Sequence, residues 1–321
     1  MLDKIDLLDR RIIYELDFNA RMPLSQLAKK LHVSKQTVKN RIDKLLERNI
    51  ILGFYTDISA SKIGYEIYIV YFKFYKMSPE KEAEFINHMC SQKNIGVNIS
   101  INGKWDYGID IWARDVVEFE EIYRNAMSDW EKYVREKDIM IETGFYYFKP
   151  TQILNLKSNE MIAMEGPIER PELDATDTTI LRKLSSNARV PLTHLAEVTG
   201  LTPNGVKARI KTLQSRGIIL GYRVFINYQK LGFLHYRVFL HMESYTPQLE
   251  KKLIEYLKQN KTCPSITKTI GYCELEFRAV VSSVDEFYAL MNDMKNTFPE
   301  IKEYESIIYA KMHGAWNYFP F

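Results

Sequence analysis

Only three cysteines occur in 321 residues, Cys90, Cys263 and Cys273, and no two form a C-x-x-C pair. That scarcity excludes a disulfide scaffold and a cysteine-rich zinc site. No apolar run approaches the ~20 residues needed to cross a bilayer. The start, Met1-Leu2-Asp3-Lys4-Ile5-Asp6, alternates charge with hydrophobe where a signal peptide would have an apolar core. Also missing are a P-loop, G-x-G-x-x-G, H-E-x-x-H and G-x-S-x-G, the local signatures of several common catalytic chemistries. What remains is 46% hydrophobic and 26% charged, the balance of packed globular protein. The expectation is a cytoplasmic protein with no membrane segment, no metal and no cofactor, built from two domains or more at roughly 150 residues each.

The net charge of +3 is unevenly placed. Residues 1–53 hold 11 Lys/Arg against 7 Asp/Glu, residues 169–221 hold 8 against 5, and everything else is net acidic. The two basic blocks are copies of one another. Setting residue n against n + 168 superposes Asn19-Ala20-Arg21 on Asn187-Ala188-Arg189 and Ile50-Ile51-Leu52-Gly53 on Ile218-Ile219-Leu220-Gly221 without a gap. Between Asp9 and Gly64, 23 of 56 positions match their partners, and the register persists to Gly103/Gly271, Asp106/Glu274 and Ile139/Ile307. So long a period marks duplication of a whole unit, since solenoid repeats run about 20–50 residues. The proline-bounded stretch 150–171 has weak periodicity and reads as a linker with room for one short ordered piece.

Each copy opens with three helical patterns. Ile12, Ile13 and Leu16 share one face; Leu27, Ala28 and Leu31 another; Ser34 then caps a third helix that buries Val38, Ile42 and Leu45. In copy two Thr202 caps, Pro203 fills the first turn, and Val206, Ile210 and Leu213 are inward. Three short helices with a tight turn before the third make a helix-turn-helix, here with an added strand from Ile50 to Phe54. The residues expected to meet double-stranded DNA are Ser34, Lys35, Gln36, Thr37, Lys39, Asn40 and Arg41, with Thr202, Asn204, Lys207 and Arg209 in copy two. Lysine neutralises phosphate, whereas Gln and Asn pair with adenine edges. A merely solvated helix face would look similar; the turn chemistry, the positive block and the second copy decide for DNA. Arg41 and Arg209 stand beside core isoleucines, so phosphate binding and pairing with an acid of their own domain both stay open. Copy two is the poorer reader, with Pro203, Asn204, Gly205 and Ala208 in place of Lys35, Gln36, Thr37 and Asn40.

The second part of each copy reads β-α-β-β-α-β: a strand over 64–74, a helix from Ser78, strands over 95–101 and 105–113, a helix over about 116–134 and a strand over 139–148. That order is ferredoxin-like. Such a sheet has helices on one face only. In its first strand Tyr65, Ile67, Ile69 and Tyr71 point one way and Tyr68, Val70 and Phe72 the other. The bare face would cost about 25 cal/mol for each apolar Å² left in water, so a second sheet of the same kind is expected to cover it. The other copy in the chain can supply that sheet, giving an intrachain pseudo-dimer open to further homo-oligomerisation. His235 and His241 are expected at a packed sheet surface and not on a metal. The fold class is then α+β: two copies of a winged helix-turn-helix domain (1–53 and 172–221), each followed by a ferredoxin-like domain (54–149 and 222–321), with the linker at 150–171.

The run D-x-x-I, N-A-R-x-P-L, L-A, R-I, I-I-L-G and K-[IL]-G, leading into a βαββαβ module, resembles the leucine-responsive and asparagine-synthetase regulators, the Lrp/AsnC family, over both copies. The resemblance implies a sequence-specific DNA-binding transcriptional regulator. It also implies that the C-terminal (RAM) module pairs sheet to sheet and binds an amino acid or related metabolite as effector between subunits. Gly103, Lys104, Trp105 and Asp106, with Gly271, Tyr272 and Glu274, look like the family's G-x-x-D turn and so become the effector-binding candidates; Glu274 departs from the family's aspartate. Asp106 either holds a ligand amine or fixes its own turn, and Trp105 is expected to pack at the sheet face. Family members usually carry one copy per chain. Two unequal copies fused together imply an asymmetric operator.

Two other readings compete. Siroheme decarboxylases share this two-part architecture, but their His-Asn-Tyr segment and Arg-Arg stretch are here Asn98-Ile99-Ser100 and Gly53-Phe54-Tyr55, or Gly221-Tyr222-Arg223 in copy two. A metabolite-sensing interaction protein is opposed in copy one by Lys35, Lys39 and Lys44.

Overall fold

In the computed structural model, which describes residues 5–169, 171–314 and 319–320, copy one runs α1 (Leu7–Leu16), α2 (Leu24–Leu31), α3 (Lys35–Glu47), β1 (Ile51–Ile58), β2 (Glu66–Phe74), α4 (Pro79–Ser91), β3 (Ile95–Asn102), β4 (Tyr107–Ala113), α5 (Val116–Met127) and β5 (Val134–Phe148). A linker strand follows, β6 (Met161–Glu165). Copy two repeats the series as α6 (Ala175–Ser186), α7 (Leu192–Thr199), α8 (Pro203–Ser215), β7 (Ile219–Ile226), β8 (Leu234–Met242), α9 (Pro247–Gln259), β9 (Ser265–Gly271), β10 (Leu275–Val281), α10 (Val284–Thr297) and β11 (Ile301–Met312). Among the described residues no helix is long and apolar enough to cross a membrane.

Local chemistry sets the helix starts. Asp6 accepts from Asp9 N at 2.9 Å while Asp9 accepts from Asp6 N at 3.3 Å, a reciprocal box that satisfies two free donors. The turn after α2 needs a left-handed residue; copy two has Gly200 there (φ 69°), whereas copy one forces His32 to φ 56°.

The strand after each third helix does not stay in its own domain. β1 pairs antiparallel with β7, from Ile51 opposite Ile226 to Ile58 opposite Ile219, forming a two-stranded ribbon between the copies. The boundaries at 53/54 and 221/222 read from the sequence therefore fall inside strands. The segments that follow α1 and α6 reach across to this ribbon: Ala20 N donates to Tyr222 O and Ala188 N to Phe54 O, both at 2.9 Å.

Each β-α-β-β-α-β module has the ferredoxin-like strand order, β5-β2-β4-β3 in copy one and β11-β8-β10-β9 in copy two. The sheets face each other, as expected, but also join at both edges. β5 pairs with β9 from Met140 to Tyr147, and β11 pairs with β3 from Ile308 to Met312, so eight strands close into one flattened ring without a free edge. Tyr68, Val70 and Phe72 pack under α4 and α5, while Ile67, Ile69 and Tyr71 point into the ring.

The short ordered piece allowed for in the linker is β6, which adds to β5 between Gly144 and Phe148. Two readings need correction. α5 stops at Met127, and β5 begins at Val134, well before Ile139. Val134–Lys137 has no strand pattern of its own and is extended because it pairs with β2. Finally, the inward faces are not simply greasy. Arg237 and Glu276 are 3% and 1% exposed inside the ring, their Nε and Oε1 atoms 3.1 Å apart. Tyr71 OH donates to Glu276 Oε2 and Arg237 Nη2 to Tyr309 OH, each at 3.1 Å. These contacts pair the buried charges, which otherwise would be expensive to remove from water.

Candidate functional site

On α3 the outward side chains form a linked row. Ser34 caps the helix by accepting from Thr37 N at 2.9 Å and also bonds the Thr37 hydroxyl at 2.8 Å. Gln36 Nε2 donates to Asn40 Oδ1 at 2.7 Å, and Lys39 pairs with Asp43 at 2.7 Å, all exposed. Lys35 is exposed beside them. Gln36, Lys39 and Asn40 are thus presented together, one turn apart, on the face a groove would meet. On α8 Thr202 caps by accepting from Gly205 N at 3.1 Å, with Asn204 and Lys207 exposed.

Arg41 and Arg209 are resolved the same way in both copies. Arg41 Nη1 lies 2.6 Å from Asp6 and 3.3 Å from Asp9; Arg209 Nη1 lies 2.7 Å from Asp174 and 3.4 Å from Asp177. These acids cap the first helix of each domain, and hydrogen bonding to Asp6 and Asp174 foremost raises the two guanidinium pKa values. The arginines pin the third helix to the first, which places them in the frame of the domain instead of among free phosphate binders.

The two glycine turns, distant in sequence, meet across the pseudo-dyad. Lys104 Nζ donates to Tyr272 OH at 2.7 Å, lies 4.4 Å from that ring's centroid and 4.9 Å from that of Trp105, and pairs with Glu305 at 3.2 Å. Trp105 is 2% exposed, set edge-on to Tyr272 at 6.0 Å. Asp106 accepts from Phe74 N at 2.8 Å and from Lys73 Nζ at 2.7 Å. Glu274 accepts from Met242 N, the repeat-matched amide, at 2.9 Å. The longer acid therefore does what Asp106 does, and both carboxylates fix their turns. The glycines have a structural reason as well. A Cβ on Gly271 would stand 2.5 Å from Ile139 O, and one on Gly103 would stand 3.0 Å from Ile307 Cγ2, each across the seam where the two sheets join.

Reading the sequence for DNA contacts missed the polar lock between the copies. Arg223 on β7 grips Asp17 at the end of α1 through Nε–Oδ1 (2.6 Å) and Nη2–Oδ2 (3.0 Å), both residues being buried. Its guanidinium lies 4.0 Å from the Tyr147 ring centroid. Arg21 and Arg189, matched in the repeat, exchange bonds with the other copy's backbone, to Val190 O (3.0 Å) and Ala20 O (2.7 Å). The signal available in the sequence was divergence between copies: Asp17 against Ser185, and Arg223 against Tyr55.

The arrangement is that of two helix-turn-helix heads fixed to one closed sheet body. An AsnC-type helix-turn-helix domain matches residues 5–46 and again 173–214. An HTH-type transcriptional regulator of Pyrococcus furiosus, itself uncharacterised, is 31% identical over 131 residues, 40% of this chain and 83% of the relative. The regulator Ptr1 of Methanocaldococcus jannaschii is 32% identical over 106 residues, 33% of this chain and 68% of that protein. The chain belongs to the Lrp/AsnC family of HTH-type transcriptional regulators. Among solved structures, the siroheme decarboxylase NirDL shares the fold over 97% of this chain and 94% of its own, with a TM-score of 0.62 at 13% identity.

Proposed function

We propose that this regulator binds double-stranded DNA as a single-chain pseudo-dimer in the cytoplasm, with α3 reading base edges and α8 holding chiefly phosphate. The supporting observation is the β1–β7 ribbon with its buried Asp17–Arg223 pair, which fixes both heads to one another inside one polypeptide. Gln36 and Asn40 are assigned to bases; Lys35, Lys39, Asn204 and Lys207 to the backbone; Ser34, Thr37 and Thr202 to capping with phosphate within reach. The operator is then asymmetric, because the two heads carry different side chains. Fluorescence anisotropy on duplexes selected from the organism's own genomic DNA tests this. Lys39→Ala weakens binding to all sequences and lowers the salt slope by about one. Gln36→Ala or Asn40→Ala chiefly relaxes specificity. A palindromic site with equal protection of both arms overturns the asymmetric reading.

Regulation by a small metabolite of the amino-acid class completes the proposal. At the paired turns, Lys104, Tyr272 and Glu305 already satisfy one another, and Asp106 and Glu274 hold backbone amides, so an effector there would have to displace these bonds.

A second reading, a tetrapyrrole decarboxylase of the same architecture, is favoured by one observation: Arg223, at the position of that enzyme class's arginine stretch, lines a cavity. Siroheme added to the purified chain gives no absorbance change if the regulator reading holds.

A further inference from the structure

The internal repeat places two crevices at equivalent positions, each between the β1–β7 ribbon end and the inner face of one sheet. The crevice of copy one, about 350 Å³, is closed on one side by linker residues Met164–Ile168. Its ionisable lining is acidic: Glu66, Glu142 and Glu165. The crevice of copy two is about 590 Å³, within the range of small-molecule sites. Among the described residues its lining has no carboxylate, and it carries Arg223, Arg278, Lys311 and His235.

The repeated sheet does not itself require these four, although Arg223 also holds Asp17. Their matched residues in copy one are Tyr55, Asp110, Thr143 and Ile67, and that copy builds the same sheet without a cation. Arg223 is 5% exposed; two of its nitrogens hold Asp17, while Nη1 has no hydrogen-bond acceptor, an Asp57 oxygen lying 3.7 Å away. His235 stacks flat on Tyr309 at 4.5 Å with Nε2 unpartnered. Burial first, then Arg278 and Arg237, hold its imidazole neutral, so it can offer a hydrogen bond without adding charge. Tyr147 and Tyr228 complete flat π-walls, and both feel Arg223 and Arg278. The remaining Arg223 Nη1 can donate a charge-assisted hydrogen bond to a carboxylate, and flat aromatic walls accept a planar body.

We propose that the copy-two crevice binds a planar, single-ring organic anion carrying two or more carboxylates, and that this ligand controls the setting of the two helix-turn-helix heads. Only the second clause rests on the DNA-binding reading. Its physical basis is that the crevice is walled by the ribbon joining the heads on one side and by the sheet body on the other. A ligand touching both favours one ribbon position over others and so couples to DNA affinity.

Isothermal titration of the full chain with isophthalate, trimesate and benzoate tests the site, with benzamide as the neutral control. Isophthalate and trimesate bind, and benzamide binds at least about tenfold more weakly. Lys311→Thr, on the exposed rim, and His235→Ile, the residue copy one tolerates, each weaken isophthalate at least about fivefold, while Thr143→Lys in copy one changes nothing. Failure of isophthalate and trimesate, benzoate binding as tightly as they do, equal binding of benzamide, or undiminished binding by both variants overturns the site. Binding of siroheme by a chain that ignores the three probes assigns the crevice to the decarboxylase reading instead. Anisotropy with and without isophthalate tests the coupling: a shift of at least about threefold in DNA affinity is expected, and an unchanged affinity removes the regulatory clause. A chain that takes isophthalate and ignores DNA overturns the DNA-binding reading and leaves the site standing.

Discussion

The buried Asp17–Arg223 pair offers a measurable test of how the copies are locked. Asp17 is 0% and Arg223 5% exposed, their bond is bidentate, and Asp17 Oδ1 also accepts from Val224 N at 3.3 Å. Replacing Asp17 by serine, the residue at the matched position 185, leaves a buried guanidinium that has lost its partner. Breaking such a pair costs about 3–5 kcal/mol. The lower end applies here, because Asp57 at 3.7 Å can ionise and partly replace the missing carboxylate. Arg223→Tyr, which copies position 55, strands Asp17 and costs a similar amount. The double variant reproduces the chemistry of the opposite side of the ribbon, where no such pair exists, and is therefore expected to recover most of the loss. Urea unfolding of the four proteins yields the coupling energy, expected at about 2–3 kcal/mol. In a thermal scan the single variants lose roughly 4–7 °C at about 2.1 cal/mol/K of unfolding entropy per residue. Additive single effects, with the double variant the least stable of the four, would refute the claim that this pair acts as a unit.

His32→Gly relieves a left-handed side chain worth about 1–2 kcal/mol, less the extra freedom glycine gives the unfolded chain; a net gain of roughly 0.5–1 kcal/mol in urea is expected, and a loss contradicts it. Gly271→Ala drives a Cβ to 2.5 Å from Ile139 O at a φ of 124° and should cost about 2–4 kcal/mol. Gly166→Ala, with φ 116° but open space, isolates the backbone strain and should cost much less. Asp57 is raised to about 7, burial outweighing Arg223. Its folded value lies above its unfolded one, so the stability this group contributes falls as pH rises from about 4 to 7 and stays low above that. Asp57→Asn therefore gains melting temperature over wild type at about pH 8 and little at about pH 5; a gain independent of pH sinks the assignment.

The helices of both heads and the alternation of β2 were legible because each depends on local patterns: caps, apolar spacing, side chains with a period of two. Val134–Lys137 was not, because a strand made of Val-Arg-Glu-Lys gets its conformation from β2 alongside it. The course of β1 was also out of reach. Ile51–Ile58 looks the same in sequence whether it pairs within its domain or with its counterpart, and only the arrangement of the copies decides. At the site, the cap roles of Ser34 and Thr202 could be read from spacing. The loyalty of Arg41 and Arg209 to the acids of the first helix could not, since a side chain of that length reaches either solvent or a neighbour.

Divergence between the copies is more informative than their likeness. Where the fold imposes a demand, both copies meet it: Gly103 and Gly271 at the sheet seams, Asp106 and Glu274 on the matched strand amides, Arg21 and Arg189 across the ribbon. Residues that differ at equivalent places show what each copy does on its own account, the Asp17–Arg223 lock among them. On α3 and α8 these are Lys35, Gln36 and Asn40 against Pro203, Asn204 and Ala208, which gives the two heads different outward side chains. At the ribbon end they are Tyr55, Ile67 and Asp110 against Arg223, His235 and Arg278, which gives one of two matched crevices two guanidinium groups and a neutral imidazole. A symmetric dimer could not separate these tasks, because any cation placed in one crevice would appear in both. Fusion into one chain permits one crevice to be lined on one side by its own linker while the other, larger one carries arginines.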